Sequence, residues 1–163
     1  MGIEVAALEP VLDGAALLGL ELEPRFRVLA ATLEPTVDRY PWGEADDRRI
    51  QVLCFPVSTI LASLRERAGD RIGVREFEVE QLVDVVAAMG GAPVAGPLFD
   101  RPEPRAGEWA PAFSMQGRSN APDGRLHTVT LSTRHDDLDL DVFARFDEVE
   151  VKDPAGASLP LTS

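Results

Sequence analysis

An α+β fold is predicted, with a mainly antiparallel sheet of six to seven strands and two main helices in the middle of the chain. Three observations predict it. Runs of strand-like alternation occupy residues 17–57 and 113–161. A helix-spaced apolar stripe lies between them. Glycine, proline and charged residues punctuate the runs where turns are needed. The 163-residue chain suits a single α+β domain, read as a first β unit (17–57), a helical middle (58–90), a Pro-rich loop (91–111) and a second β unit (113–161).

Residues 1–16 carry little pattern, because Pro10 and the Asp13-Gly14 pair interrupt any long helix. Leu18, Leu20 and Leu22 then alternate with Gly19, Glu21 and Glu23, which predicts a strand with one apolar face, and Pro24-Arg25 turns the chain. Phe26–Leu33 is apolar on both parities, so it is expected at the centre of a sheet and covered on both sides. A charged loop, Glu34–Arg49, follows. Ile50–Phe55 is the next strand; it holds Cys54 and stops at Pro56, which has no N–H to give a ladder.

Ser58 or Thr59 is expected to cap a short helix with Ile60, Leu61 and Leu64 on one face. Arg65 and Arg67 would suit its C-terminal dipole, and Gly69 would stop it. Val74–Phe77 reads either as a short strand or as a helix lead-in. Glu78–Met89 is the clearer helix, with Val79, Leu82, Val83, Val86 and Met89 as its buried stripe and Gly90-Gly91 as its stop. Gly90–Pro111 holds Pro93, Pro97, Pro102, Pro104 and Pro111 with no periodicity, the mark of a functional loop or a linker. Trp109 and Phe113 suggest that its far part docks on the core.

Gly124–Asp153 (GRLHTVTLSTRHDDLDLDVFARFDEVEVKD) reads as three consecutive antiparallel strands. Two of its runs echo earlier ones: Arg125–Thr133 resembles Arg25–Leu33, and Leu140–Val149 resembles Ile50–Val57. The echo suggests two hairpin units forming a pseudo-repeat. Val149–Lys152 and Ser158–Leu161 make a last hairpin, in which Pro160 suits only an edge.

A net charge of −12 excludes a duplex-DNA surface, which needs clustered cations, and disfavours anionic membranes. It favours a basic protein partner. The N-terminus carries neither a basic leader nor a long apolar run, so a cytoplasmic location is expected. Arginines far outnumber the single lysine, Lys152, a bias of the kind a GC-rich bacterial genome imposes. Half-buried strands and aromatic loops are compatible with a homodimer.

The densest charge lies between Asp136 and Asp153, eight acids against Arg145 and Lys152. Asp137, Asp139 and Asp141 are expected on one strand face, neighbours spaced roughly 6.8 Å. As a calcium loop this run lacks the turn glycine, since Val142 occupies its place. Alone it is too sparse to imitate DNA, and a solvated edge-guarding face is the simpler reading. His127 and His135 share parity, but eight residues of strand set them roughly 27 Å apart, too far to share a metal. A His135–Asp137 acid/base pair is one catalytic candidate, with His127 as another, although no nucleophile motif accompanies them. Cys54 lies in an apolar strand that should leave it inert. No metal site or cofactor motif is recognisable. Tyr40, Trp42 and Trp109 are candidate binding anchors, with Asp137, Asp139 and Asp141 supplying attraction. The expectation is a non-enzymatic acidic interaction protein docking on a basic partner in an inhibitor, immunity or accessory role. The alternatives are a small hydrolase or isomerase using a His-carboxylate pair, and a small-ligand pocket beneath the 90–111 loop.

Overall fold

The chain is described by a computed structural model covering residues 4–23, 25, 27–102, 113–116 and 127–161. In order, its elements are α1 (Val5–Leu12), β1 (Ala16–Glu23), β2 (Val28–Glu34), β3 (Ile50–Phe55), β4 (Thr59–Ala68), β5 (Arg71–Arg75), α2 (Leu82–Ala88), β6 (Phe113–Gln116), β7 (His127–His135), β8 (Leu138–Phe146) and β9 (Glu148–Lys152). They form two antiparallel sheets, β1-β2-β3-β9 and β5-β4-β8-β7, with β6 also pairing β4. The fold is α+β. Trp109 lies outside the described residues.

One two-stranded ladder builds both sheets. Its first arm pairs β3 with β9, from Gln51 opposite Lys152 to Phe55 opposite Glu148. Its second arm pairs β4 with β8, from Thr59 opposite Arg145 to Glu66 opposite Leu138. Between the arms, Pro56, Val57 and Ser58 face only Phe146 and Asp147, so one extra residue bends the ladder as a bulge does. The corner is held by backbone bonds: Asp147 N–H donates to the Phe55 carbonyl (3.3 Å), Ser58 N–H to that of Arg145 (3.1 Å), and Val57 N–H to that of Arg27 (2.7 Å).

The topology is two-fold about that corner. β2-β3-β9 in one sheet corresponds to β7-β8-β4 in the other. The sequence echo follows the same correspondence, matching β2 with β7 and β3 with β8. Between the sheets lies one apolar cluster, including Leu29, Leu33, Ile50 and Val151 from the first and Ile60, Leu131, Val142 and Phe146 from the second. Each of those side chains contributes about 2 kcal/mol by burial.

Four local expectations change. Thr59–Ala68 is a strand: Ile60, Ala62 and Leu64 alternate into the core, while β8 supplies a partner along eight residue pairs. Its leucines, alanines and arginines favour helix intrinsically, and the ladder overrides that preference. With β5 and β6 this raises the strand number above the six or seven expected. The second helix lies at the N-terminus instead, where burial of Val5, Leu8, Val11 and Leu12 outweighs the bond lost at Pro10. In β1 a register shift between Leu17 and Gly19 puts Leu17 and Leu20 inside and leaves Leu18 at the surface. In β2 only Leu29, Ala31 and Leu33 are fully buried; the opposite face is half-exposed.

The first part of the Pro-rich segment is tied down. Val94 exchanges backbone hydrogen bonds with Gly14 and Ala15, and Ala92 accepts from Leu17, at the start of β1. Ala95, Leu98 and Asp100 bond along β7, to Ser132, Thr130 and Thr128. From α1, the Glu9 carboxylate accepts the Leu98 N–H (2.8 Å) and the Phe99 N–H (2.9 Å), and Asp13 accepts that of Gly96 (3.3 Å). Leu98 is fully buried at the clamp. Glu9→Ala should therefore cost about 2 kcal/mol in urea unfolding by orphaning two donors, with Glu9→Gln retaining part of that stability. Equal stability of Glu9→Ala and wild type would show that the clamp carries no load.

Candidate functional site

Asp139 and Asp141 of β8 project their carboxylates from the face of the five-stranded sheet that points away from the core, opposite the buried Leu140. Pairing brings Arg65 of β4 opposite Asp139 on one side and Arg134 of β7 opposite it on the other. The Arg65 guanidinium donates to Asp141 Oδ2 at 2.7 Å, and Ser132 Oγ donates to Asp141 Oδ1 at 2.5 Å. Arg134 Nε donates to Asp139 Oδ1 at 2.8 Å, while Arg67 Nε stands 3.4 Å from Asp139 Oδ2. Arg67 also donates from Nη2 to the Asp136 carbonyl at 3.0 Å. The side chains of Asp139 and Asp141 are only 15% and 13% exposed. These two acids are thus not a solvated strip: they are charge-compensated links across three strands. Asp137 lies in the β7–β8 turn, off the strand, and is exposed.

Beside this network a cleft of about 350 Å³ is walled by Pro93, Ala95, Ser132, Arg134 and Asp141. It lies against the tied part of the 91–111 loop, where its charged groups largely satisfy one another.

His127 and His135 stand at opposite ends of β7. His127 Nδ1 is 3.2 Å from Asp100 Oδ1, and its ring lies 5.8 Å from that of Phe146. His135 Nε2 is 3.4 Å from Asp136 Oδ2, and its ring packs over Gly90, whose φ is +66°. The histidine partners are therefore Asp100 and Asp136, whereas the sequence pointed to Asp137. Neither histidine lines this cleft or the groove beside α2. Among the described residues, no three His, Cys, Asp or Glu side chains are grouped to hold a metal ion, and no helix is long and apolar enough to cross a membrane.

Tyr40 and Trp42 meet edge to face, with ring centroids 5.3 Å apart. The Trp42 indole N–H donates to the Pro160 carbonyl at 2.6 Å, and both rings pack against the core. Their loop is also tied locally: hydrogen bonds from Arg49 hold the Asp47 carboxyl down at about 2. Cys54 is buried, and desolvation pushes its thiol up to about 12.

A different groove, of about 270 Å³, opens where α2 leaves the five-stranded sheet. Leu64, Phe77, Val85 and Leu138 give it an apolar lining; Arg75, Glu76, Gln81 and Asp84 supply its polar groups. Glu78 and Glu80 are exposed on the segment leading into α2, and Val83 is 49% exposed. Among the described residues, Glu76, Glu80 and Asp84 form no ion pair within 4 Å. The sequence hides this groove because Leu64 and Leu138 are brought together only by β4–β8 pairing. The arginine clamp had a visible signal, the matching alternation of Arg65-Glu66-Arg67 and Asp139-Leu140-Asp141.

Comparison of the chain with protein-family models, curated proteins and solved structures finds no match.

Two predictions follow from the partners and the burial. Asp141→Ala leaves Arg65 uncompensated and should cost about 3 kcal/mol, most of which Arg65→Leu combined with Asp141→Leu should restore in denaturant titrations. Cys54 should resist thiol reagents until the chain unfolds. Its folded thiol keeps its proton up to about 12, whereas the ordinary thiol releases it near 9, so stability present below pH 9 falls as pH rises toward 12. The loss is about 1.4 kcal/mol per pH unit relative to Cys54→Ala, measurable by denaturation across that range.

Proposed function

We propose that this protein is a non-enzymatic interaction module that docks on a basic partner, in an inhibitor, immunity or accessory role. The observation that carries this reading is the groove between α2 and the five-stranded sheet, with its apolar lining beside Glu76 and Asp84. An aliphatic side chain of the partner would enter the groove, and lysines or arginines beside it would meet Glu76, Glu80 and Asp84. Apolar burial supplies affinity, and the surplus negative charge supplies attraction and on-rate. Asp139 and Asp141 play no direct part, because their own arginines neutralise them. The partner surface is therefore shifted from the acidic run to the neighbourhood of α2.

The test uses a fluorescent Lys-Arg-Leu-Lys-Arg peptide and the full chain. Binding should weaken steeply with salt, and the E80K/D84K variant should bind at least about tenfold more weakly, while E44K/D46K, at two exposed acids of the loop before β3, stays within about twofold. Salt-independent binding, or equal losses in both variants, would overturn the reading.

A further inference from the structure

Three sheet edges are covered by irregular chain. Residues 95–100 bond along β7, residues 92–94 along the start of β1, and Ser158–Leu159 along β9. β5 differs. Among the described residues its backbone pairs only with β4, all five of its residues are exposed, and Ile72 and Val74 are 64% and 47% exposed. A strand edge with free N–H and C=O groups beside exposed branched side chains is a template for another strand.

The charges on this edge select what can pair with it. Asp70-Arg71-Ile72-Gly73-Val74-Arg75-Glu76 has the same charge order read from either end. A second copy docked antiparallel about Gly73 would set Arg71 of each copy against Arg75 of the other, and Asp70 against Glu76. Like charges directly opposite one another destabilise a strand pair, so self-pairing is opposed on both faces. A strand of inverted order is favoured on both.

We propose that the β5 edge accepts an extended segment of another protein in which two acidic residues four positions apart flank β-branched residues, with a basic residue at each end. The acids meet Arg71 and Arg75, which lie on the same sheet face as Leu64 and Glu66. Arg75 Nε is 3.9 Å from Glu66 Oε2, a long contact that leaves the guanidinium able to take a second carboxylate in fork geometry. Gly73, lying between the two arginines, presents no side chain to obstruct it. The branched residues cover Ile72 and Val74 on the opposite face, and the terminal bases meet Asp70 and Glu76. This edge shares Arg75 and Glu76 with the groove but goes beyond that reading, and the backbone pairing it offers does not depend on Glu80 or Asp84.

Labelled Lys-Glu-Val-Thr-Val-Glu-Lys, titrated against the full chain, tests the inference. It should bind at least about tenfold more tightly than Glu-Lys-Val-Thr-Val-Lys-Glu, and R71E/R75E, altered only at exposed residues, should abolish that preference, because each peptide then meets two like and two opposite charges. N-methylation of one alternating set of peptide amides should abolish binding while methylation of the other set does not, as expected when a single edge of the added strand is paired. E80K/D84K should leave this binding within about twofold, which separates failure of the edge from failure of the groove. Equal binding of the two charge orders to the wild-type chain, a preference kept in R71E/R75E, insensitivity to both methylation sets, or loss of binding in E80K/D84K would overturn the inference. So would a wild-type dimer that I72K converts to monomer.

Discussion

Everything in this fold hangs on the bend at Pro56–Ser58 and Asp147. A ladder of two strands can belong to two sheets only if it changes direction, and an unequal count of residues across the corner makes it do so. Because β3 continues into β4 and β8 into β9, the two sheets are two halves of one hydrogen-bonded object. Facing apolar surfaces then follow: Ile50, Val52 and Cys54 on one arm, Ile60, Ala62 and Leu64 on the other, all buried. The helices and the 92–100 segment fill what the folded ladder leaves open. A corner of this kind also explains why a short chain supports two sheets without a disulfide, since the covalent continuity and the backbone bonds of the bend hold them together.

Strand alternation is a local property, which is why Ile50–Phe55 and Gly124–Asp153 are legible from sequence and why their echo traces a topological two-fold. Thr59–Ala68 is not legible in the same way. Its residues favour helix, and the β8 strand that makes it extended lies more than seventy residues further on. The buried α1 and the shift at Leu17 are hidden for a related reason: each depends on surfaces assembled by distant chain. At the site level, the residue types were visible and the partners were not. Asp139 and Asp141 stand out by charge, but reading Arg65 and Arg67 as helical conceals the cations opposite them. Asp100, beside His127, comes from a proline-rich stretch with no pattern to place it.

Net charge therefore says less than its distribution. Part of the acidity in the second β unit is spent inside the sheet, where three arginines compensate two aspartates and tie β4, β8 and β7 together. Around α2 and the neighbouring hairpin, by contrast, Glu76, Glu80 and Asp84 are exposed. There acids, cations and apolar side chains alternate over a short distance, an arrangement suited to discriminating between partners as well as attracting them.

The grip of Glu9 on Leu98 and Phe99 has a consequence for how the molecule is made. The bonded groups are 89 and 90 residues apart, and the segment held there also needs β7, which ends at His135. On the ribosome α1 emerges well before residues 98 and 99 and must wait, without these partners, until they and β7 have been synthesised. α1 is thus locked by its Glu9 bonds only once the 95–100 segment has docked on β7. Such long-range closure is a mark of slow-folding topologies, and it leaves the apolar face of α1 (Val5, Leu8, Val11 and Leu12), buried in the folded chain, uncovered on the nascent chain until then.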